Sequence, residues 1–482
     1  MRNYIIKPLS IKKSDFRKKK SLSPHSYRNI SYLNQNIVYV EELLSENIKG
    51  TEVGSLNYIK FSDNYFIRIG DMDDSDFTIR ETSKTLKVKP LKKLSTILKK
   101  GDICYQTASN VGNVCFYIGE KAYFNSHIKK LTFARDKYYI FAFLKSNFCK
   151  NQVDMGGSIK GVDNFSNKYL LNTRISFPTN KQNKNPKDIE LLVSVITQNI
   201  IDKEEQTQIK NRMIDEEIER EILDNQITNT YQYKYPKISE LIREKRLDTG
   251  LYSEKYHAYE QNIKKYKNGY FYLEEKSIFP GRTPPDYYFS DTKKNNKFYD
   301  WITPKNINGR ELSYHTYIYT NTITKIKKYS LVMNGIRYVG NGIFVDNQTF
   351  YANQNMLIIN QFREKEKQLF LFCFLTSKIG KEMQIVRRNF GIVPILYSES
   401  LAKIPIPKFS KDKQKEVSKK YYNEINRVEN IVLDNYLEKN KQRNKLLGIF
   451  QLNMEIFELK NQLEEIIDKI VMDEKIEIEK YL

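Results

Sequence analysis

The sequence predicts an α+β protein made of two tandem domains, joined by two long helices that pack as an antiparallel coiled coil with pseudo-two-fold symmetry. Three observations predict this class. The chain matches itself at a nearly constant offset, each copy begins with short strand-like runs, and each copy ends in a long helical stretch. The expected divisions are a first domain at 1–180, a central spacer helix at 181–232, a second domain at 233–409 and a C-terminal coiled-coil helix at 410–482.

The repeat rests on five collinear matches, with offsets between 228 and 231 residues. They are Arg17, Leu22 and Tyr27 with Arg246, Leu251 and Tyr256; Val111–Asn113 with Val339–Asn341; Tyr123 and Asn125 with Tyr351 and Asn353; Phe143, Leu144 and Ser146 with Phe374, Leu375 and Ser377; and Arg174, Ile175 and Pro178 with Lys403, Ile404 and Pro407. Because the matches keep their order while the offset drifts by three residues, they indicate two diverged copies of one unit.

The first part of each copy has the pattern of short strands. The runs are Asn64–Ile69, Asp102–Tyr105 and Asn113–Ile118 in the first copy and Gly342–Val345 in the second. Gly-Asn and Asp-Asn turn signals separate them. An extended proline segment, at Phe177-Pro178 and at Ile404–Pro407, predicts where each globular part ends, since proline disfavours helix in the residue before it.

Each copy then continues into a helical stretch. The final one has apolar residues at alternating spacings of three and four, which is a heptad seam: Ile449, Leu452, Ile456, Leu459, Leu463, Ile466 and Ile470. The stretch 188–224 is less regular, with a polar interruption at 203–208. Since no other stretch matches their length, we expect the two helices to cover each other's apolar seams.

The net charge differs between the predicted globular parts and the predicted long helices. The chain carries 80 Lys and Arg against 58 Asp and Glu, a net charge of +22, while 40% hydrophobic and 13% aromatic residues predict a folded protein. Residues 188–226 and 451–482 carry net −7 and −5, so the other 411 residues carry +34. Basic globular parts with interleaved aromatics are suited to bind DNA or RNA, whereas the acidic helices are suited to protein partners.

Several other classes of protein are disfavoured. No apolar run reaches the length of a membrane span and no signal peptide is seen, so we expect a cytoplasmic protein with no membrane contact. The four cysteines are predicted to be buried free thiols, and the four histidines lack metal-ligand spacing. The run Asp215–Glu219 is predicted to be a solvated helix face rather than a metal site. No phosphate-binding loop is present, and Thr283–Tyr288 departs from the loop of amino-methyltransferases.

Several motifs resemble the specificity (S) subunits of Type I restriction–modification systems. The clearest are Pro280–Pro284 followed by Tyr287-Tyr288 and then Trp301–Ile307. Further similar segments are Lys100–Ile103 leading to Asn110–Asn113, Tyr351–Asn355, and Ile404–Pro407 before a long helix. The first copy departs from the pattern, since it lacks a Gly-x-Thr-Pro turn and has Phe66–Asp71 in place of the Trp-Ile-Thr-Pro stretch.

The resemblance implies a non-catalytic DNA-recognition subunit of a phage-defence restriction system. Each domain would be a target-recognition domain that reads one half of a bipartite, asymmetric site in double-stranded DNA. Two methyltransferase (M) subunits would dock on the chain, a translocating endonuclease (R) subunit would join them, and S-adenosylmethionine would be bound by the partner methyltransferase and by no site in this chain. Two alternatives stay open: the specificity subunit of a two-component Type II enzyme that cuts beside a bipartite site, and a divergent DNA methyltransferase or nuclease.

Candidate DNA-contacting residues follow from side-chain type and loop position, because arginine suits guanine and asparagine or glutamine suits adenine. The predicted residues are Arg68, Gln106, Asn110, Asn113 and Lys160 in the first domain, and Arg282, Lys305, Arg337, Asn341 and Arg388 in the second. No catalytic and no metal-binding residues are predicted.

Overall fold

A computed structural model of the chain describes residues 2–19, 27–81, 85–90, 97–155, 169–228, 235–290, 293, 297–313, 315–322, 326–346, 350–389 and 391–482. The chain divides into two compact units. Unit 1 comprises Met1–Gln208, Ile425–Leu446 and Met454–Leu482, and unit 2 comprises Ile209–Glu424 and Leu447–Asn453. Each unit therefore combines a globular part with helical segments from elsewhere in the chain.

The first half of the chain is rich in short strands and ends in one long helix. Its strands are β1 (Ile5–Ile6), β2 (Asn29–Ile30), β3 (Ile37–Tyr39), β4 (Leu44–Lys49), β5 (Tyr65–Ile67), β6 (Leu86–Lys87), β7 (Ile97–Lys99), β8 (Ile103–Gln106), β9 (Val114–Phe116), β10 (Lys121–Phe124), β11 (Ile128–Phe133) and β12 (Arg174–Ser176). Its helices are α1 (Lys13–Lys19), α2 (Val40–Leu43), α3 (Lys137–Lys145), α4 (Asn147–Met155) and α5 (Pro186–Asp224).

The second half repeats this order and ends in a broken helical tail. Its strands are β13 (Tyr270–Phe271), β14 (Ile278–Pro280), β15 (Tyr288–Ser290), β16 (Phe298–Ile302), β17 (Ile307–Asn308), β18 (Glu311–Leu312), β19 (Tyr317–Tyr319), β20 (Leu331–Asn334), β21 (Gly342–Phe344), β22 (Phe350–Ala352), β23 (Met356–Ile359) and β24 (Ile406–Pro407). Its helices are α6 (Ile238–Glu244), α7 (Glu254–Lys264), α8 (Lys365–Leu375), α9 (Lys378–Arg387), α10 (Ser398–Ala402), α11 (Lys411–Tyr421), α12 (Tyr436–Leu446) and α13 (Ile449–Val471).

Both units contain the same sheet. Its strand order is β4-β11-β8-β9 in unit 1 and β14-β23-β20-β21 in unit 2, and all of its pairs are antiparallel. A second sheet in each unit contains one parallel pair, β5 with β10 and β16 with β22. Two helices follow the last strand of each first sheet, α3 and α4 in unit 1 and α8 and α9 in unit 2. The first helix of each pair packs over the sheet. The predicted α+β class with two tandem domains is confirmed.

The parallel pair shows which motifs correspond between the copies. Phe66 lies opposite Tyr123 in unit 1, and Trp301 lies opposite Tyr351 in unit 2. Tyr123 and Tyr351 are themselves one of the sequence matches. Phe66–Asp71 therefore does take the place of the Trp-Ile-Thr-Pro stretch, as predicted.

Apolar side chains of strands and helices form a separate core in each unit. In unit 1, buried α3 residues such as Phe141 and Phe143 pack with Ile196 of α5 and Ile466 of α13. In unit 2, the corresponding α8 residues pack with Ile218, which also belongs to α5. The first turns of α5 thus pack in the core of unit 1, and its last turns pack in the core of unit 2.

The polar interruption of α5 is buried rather than exposed. Lys203 is 1% exposed, and its ammonium donates to Asn444 Oδ1 at 2.6 Å and to Glu455 Oε2 at 2.6 Å. Burial lowers the pKa of Lys203. Glu204, at 4% exposure, accepts hydrogen bonds from the domain of unit 1. These residues interrupt the apolar seam because they make polar contacts inside the unit.

The acidic run in the last part of α5 also differs from the prediction of a solvated face. Asp215 accepts a hydrogen bond from Arg310 at 2.7 Å. Glu217 is 5% exposed and pairs with Lys413 at 2.9 Å and with Lys420, both on α11. That prediction was wrong for these two residues, because Arg310 reaches Asp215 and α11 brings two lysines to Glu217, and the local sequence of α5 reveals neither contact.

The segment 410–482 is not one helix but contains α11, α12 and α13. Between α11 and α12 the backbone has no regular structure before a 3-10 turn at Leu433–Asn435, and the Arg443 guanidinium binds the carbonyls of Ile425 and Asn426, each at 2.9 Å. Between α12 and α13, a Cβ on Gly448 would lie 2.4 Å from the backbone nitrogen of Asn423. Glycine allows this close approach of two chain segments.

Within unit 1, α5 and α13 run antiparallel. Gln182, just before α5, donates to the carbonyl of Ile470 at 2.8 Å, and Lys203 pairs with Glu455. As the residue number rises along one segment it falls along the other. Helix α12 also contacts α5, since Asn199 donates to the Tyr436 hydroxyl at 3.1 Å. Coiled-coil pairing of the two long helices is not confirmed, and the four predicted domain boundaries stay predictions.

Candidate nucleic-acid interface

A glycine ends the edge strand of the first sheet in both units. The backbone nitrogen of Gly50 donates to the Ile128 carbonyl at 3.0 Å, and that of Gly281 donates to the Met356 carbonyl at 2.9 Å. A Cβ at either glycine would lie 2.2 Å from a backbone carbonyl oxygen. Only glycine fits there, so each unit has the same turn from which a long loop leaves the sheet. The sequence comparison missed Gly50, because the Thr-Pro that marks Gly281 is absent after it.

The hairpin that joins β8 to the edge strand β9 in unit 1, and β20 to the edge strand β21 in unit 2, has the same unusual backbone. Ser109 and Gly112 in unit 1 have φ values of 64° and 93°, and Arg337 and Gly340 in unit 2 have φ values of 57° and 88°. A left-handed arginine is uncommon, since its Cβ crowds the backbone. Asn110 and Arg337 are exposed in these hairpins. The repeated geometry presents one solvent-facing loop per unit.

One asparagine at the base of each hairpin ties it to a neighbouring loop. Asn113 Nδ2 donates to the Met72 carbonyl at 3.2 Å, and Asn341 Nδ2 donates to the Ile307 carbonyl at 3.4 Å. In unit 1 the buried Lys145 ammonium also donates to Asn113 Oδ1 at 2.9 Å, and burial lowers the pKa of Lys145. These asparagines were predicted to contact DNA, and in the structure their side chains hold the hairpin in place.

In unit 2 the predicted basic residues come together. Asn334, at the base of the hairpin, donates to the Pro304 carbonyl at 3.2 Å, which brings the Lys305 turn beside Arg337. The backbone nitrogen of Gly335 donates to the Asn355 carbonyl at 3.0 Å, next to the Gly281 turn that carries Arg282. Arg282, Lys305 and Arg337 are all exposed.

The fourth basic residue, Arg388, lies near the same hairpin. The backbone nitrogen of Leu396 donates to the Gly335 carbonyl at 2.8 Å, so the loop after α9 lies against the hairpin. Arg388 is half-buried and donates from Nε to the Ile385 carbonyl at 3.0 Å. We call Arg282, Lys305, Arg337 and Arg388 the unit 2 basic cluster.

Unit 1 brings its predicted residues together in the same way, with fewer of them exposed. Arg68 follows β5 and is exposed, as is Asn110. Gln106 is 3% exposed, and its Nε2 donates to the Ala108 carbonyl at 2.8 Å. Asn113 is 2% exposed and donates to Gln106 Oε1 at 3.4 Å. Lys160 lies outside the described residues.

The second sheet of unit 1 adds positive charge. Exposed Lys99 on β7 lies directly opposite exposed Lys121 on β10. Like charges in such cross-strand positions are destabilising on their own. An anion beside the sheet relieves that repulsion, so the pair favours a polyanionic ligand.

The proline-rich segment Thr283–Tyr288 has a structural role that explains its departure from a methyltransferase loop. The carboxylate of Asp286 accepts from the Asn321 backbone nitrogen at 3.1 Å, from the Thr320 hydroxyl at 3.3 Å and from the Thr322 hydroxyl. The hydrogen bond from Thr322 is the main cause that lowers the pKa of Asp286. This carboxylate fixes the turn after β19.

The cysteines are buried, as predicted. All four are free and buried, and burial raises the pKa of Cys115 and of Cys373 to about 12. Across the part of the chain that the structure describes, no group of three or more His, Cys, Asp or Glu side chains is placed to hold a metal ion. In the same part, no helix has the length and apolar character needed to cross a membrane.

One family model matches part of the chain. Residues 21–211 match the family model described as the Type I restriction modification DNA specificity domain. This stretch is therefore similar to the DNA specificity domains of Type I restriction–modification systems. It contains the Gly50 turn, the Asn110 hairpin and the first part of α5. The second copy, outside the matched residues, repeats the sheet order of the matched stretch.

Solved structures with loose similarity cover most of the chain. The S subunit of a Type-I restriction-modification system from M. genitalium has 13% identity and a TM-score of 0.40, covering 92% of this chain and 98% of that one. The HsdS subunit from Thermoanaerobacter tengcongensis has 12% identity and a TM-score of 0.24, covering 90% and 96%. A chain from a study of complex assembly and conformational transition of the type I R-M system has 13% identity and a TM-score of 0.27, covering 92% and 99%. No curated protein sequence matches the chain.

Proposed function

We propose that this chain is the DNA sequence-specificity subunit of a Type I restriction–modification complex and that each unit reads one half of a bipartite, asymmetric site. One observation carries the proposal: the loop framework of the matched specificity domain recurs in unit 2 with different exposed side chains. Unit 1 presents Arg68 and Asn110, whereas unit 2 presents the basic cluster. The same framework with different side chains is suited to two different half-sequences.

The predicted residues divide into two roles. Exposed arginines have the forked donors that suit guanine, and exposed asparagine suits adenine, so Arg68, Asn110, Arg282 and Arg337 are proposed to contact bases. Lys305 and Arg388 are proposed to contact phosphates or bases at the same edge. Gln106, Asn113 and Asn341 are proposed to position the hairpins, because their amide groups are hydrogen-bonded inside each unit.

The catalytic steps are proposed to reside in partner subunits. Two methyltransferase subunits would bind S-adenosylmethionine and modify the site, and a translocating endonuclease subunit would cut DNA. The net charge of −7 on residues 188–226 and −5 on residues 451–482 favours these segments as protein-docking surfaces over DNA-binding ones. The proposed place of action is the cytoplasm.

Mapping methylated bases in the source genome tests the proposal. With the gene intact, we expect a methylated motif of two short blocks separated by a fixed gap, and deletion of the gene should abolish it. A methylation pattern that survives deletion, or a continuous motif, would contradict the proposal. Methylation or cleavage of DNA by the purified chain alone would contradict the non-catalytic role.

The substitution Arg337→Ala tests the assignment of unit 2. We expect relaxed specificity at one base of one block, since a lost bidentate arginine–guanine contact removes about 1–3 kcal/mol of discrimination. Lys408→Ala is the matched control, because Lys408 is exposed in unit 2 beside β24 rather than in the basic cluster. An equal loss of affinity for all sequences in Arg337→Ala would assign this arginine to the DNA backbone.

A further inference from the structure

The outer edge of the second sheet differs between the two units. In unit 2 this sheet has the order β15-β19-β16-β22, in which β15 is an edge strand beyond β19. In unit 1 the sheet has the order β6-β5-β10-β7, and the segment beyond β6 pairs through a single bridge, from Tyr58 to Val88, with the Tyr58 ring half-buried and 6.2 Å from the Phe66 ring. Since β6 and β19 both pair with a strand of the parallel pair, β15 and the Tyr58 segment occupy the same place in the two units.

Three consecutive aromatic residues are exposed at this added strand. Tyr287, Tyr288 and Phe289 are 46%, 49% and 49% exposed. Monomeric surfaces rarely expose adjacent large aromatic side chains unless they bind something. Because side chains alternate along a strand, Tyr287 and Phe289 lie on one face of the sheet and Tyr288 lies on the other, where it contacts Phe298 and Tyr319. The sheet edge therefore exposes rings on both faces and is a candidate contact surface, and we call these three residues the aromatic strand.

The aromatic strand is held rigidly. The Tyr288 ring stacks on Tyr319 with centroids 4.8 Å apart, and the Phe289 ring lies 5.7 Å from Trp301. The Tyr287 and Phe289 rings are 4.9 Å apart. Just before them, Asp286 fixes the backbone through its bonds to the turn after β19. Rings that are already ordered lose little entropy when a ligand covers them.

The chemistry around the aromatic strand indicates its ligand. Exposed Arg282 precedes it on the same segment and exposed Lys293 follows it. The carboxylate of Asp286, which precedes the aromatic strand, is occupied by hydrogen bonds within the unit. Flat rings flanked by exposed cations match the sugars and bases of a nucleic acid beside its phosphates. The Arg282 turn is also part of the proposed DNA interface, with which the aromatic strand is continuous.

We propose that the aromatic strand is a second DNA-contacting element of unit 2, which binds the sugar or base surfaces beside the half-site read by the basic cluster. This inference rests on the proposed DNA-binding function. It assigns to unit 2 a contact that unit 1 does not make, so the two halves of the recognition site differ in how far the protein contact extends.

Measuring DNA affinity at several salt concentrations distinguishes a contact by the aromatic strand from a contact by the unit 2 basic cluster. The experiment uses the full chain and a duplex that carries the motif mapped in the source genome. We expect Tyr288→Ala with Phe289→Ala to weaken binding by about 10-fold or more, since each ring–base contact contributes substantially to affinity. The slope of log affinity against log salt should not change, because no charge is removed. Arg282→Ala should reduce that slope by about one, because one phosphate contact is lost.

Two further variants control for misfolding and for the loss of an exposed ring elsewhere in unit 2. Tyr288→Leu with Phe289→Leu retains apolar bulk against Tyr319 and Trp301 but removes the exposed rings, so it should fold and still bind more weakly. Tyr272→Ala is the matched control, since Tyr272 is also exposed in unit 2 but lies next to β13. DNA footprints should shorten on one side only in the two aromatic variants.

The possible outcomes are distinguishable. If the unchanged chain does not bind the duplex, the proposed function fails. If the unchanged chain binds and both aromatic variants bind equally well, only the present inference is overturned. Unchanged DNA affinity together with loss of a co-purifying protein partner would instead assign the aromatic strand to a protein interface.

Discussion

The two units share a sheet order but are fixed to the long helix α5 by opposite chemistry. In unit 1 the helix supplies the acceptor: Glu204 accepts from the backbone nitrogens of Phe77 and Thr78 at 3.0 and 2.8 Å. In unit 2 the domain supplies the donor: Arg310, at 3% exposure, donates to Asn211 Oδ1 at 2.6 Å and to Asp215 at 2.7 Å. The same architecture is thus held by unrelated polar contacts, and each copy has diverged at its helix as well as at its loops.

The largest effect is expected from removing the unit 1 acceptor. Glu204→Ala should lower the free energy of unfolding of unit 1 by about 3 kcal/mol, because buried backbone donors and the Lys460 ammonium lose their acceptor. Hydrogen exchange resolved by segment would measure this, with faster exchange at residues 76–79 and no change in unit 2. Glu204→Gln keeps one acceptor oxygen and should cost less. Equal loosening of both units would show that the contact is not specific to unit 1.

A smaller effect is expected at the unit 2 donor. Arg310→Lys should destabilise unit 2 by about 2 kcal/mol, since an ammonium cannot replace the guanidinium fork that reaches Asn211, Asp215 and Thr376 together. Urea unfolding with the same exchange readout measures the loss. Arg337→Lys is the control, because that arginine is exposed, and it should change stability by no more than about 0.5 kcal/mol. A larger loss in the control than in Arg310→Lys would refute the assignment.

The smallest effect is a pH dependence confined to unit 1. Burial raises the pKa of Glu464 to about 7, while its carboxylate accepts from the Asn147 backbone nitrogen at 3.0 Å. Of the charged side chains that face it, Asp468 raises this pKa further and Lys150 lowers it. The folded state thus holds the proton more tightly than the unfolded state, so unit 1 should lose stability as the pH rises from about 4.3 to about 7.

Glu464→Gln tests this pH dependence, since the amide keeps an acceptor and cannot ionise. We expect the variant to be more stable than the unchanged chain at pH 8, where the native carboxyl is ionised, and to equal it near pH 4. Thermal unfolding across that range measures the difference. A stability difference that is independent of pH would show that folding does not raise the pKa of Glu464.

The repeated parts of the fold were predictable from the sequence, because they depend on local patterns. The offset between Tyr123 and Tyr351 predicts that two strands occupy the same place, and the structure confirms it. The heptad seam predicts α13, and the proline segment at Phe177-Pro178 predicts that a helix follows it, which is α5. In each case the physical cause lies within a few residues of the signal.

The remaining features depend on contacts between distant residues. The binding of Lys203 to Glu455 cannot be read from α5 alone, so the polar interruption gave no indication of burial. The backbone break before α12 depends on Arg443, which follows the break in the chain. At the candidate site, most of the residues that were chosen by loop position and side-chain type lie at one edge of each unit. They did not separate Arg337, which is exposed, from Asn341, which is hydrogen-bonded inside.

The discontinuity of unit 1 has a consequence for synthesis of the protein. Its core needs Ile466 of α13 beside Phe143 of α3, and these residues are far apart in the chain. A ribosome finishes the strands of unit 1 early, but the apolar face of α5 stays uncovered until α13 has emerged. The domain that is translated first is therefore the one whose core closes last, and during translation its exposed helix is the part of the chain most in need of a chaperone.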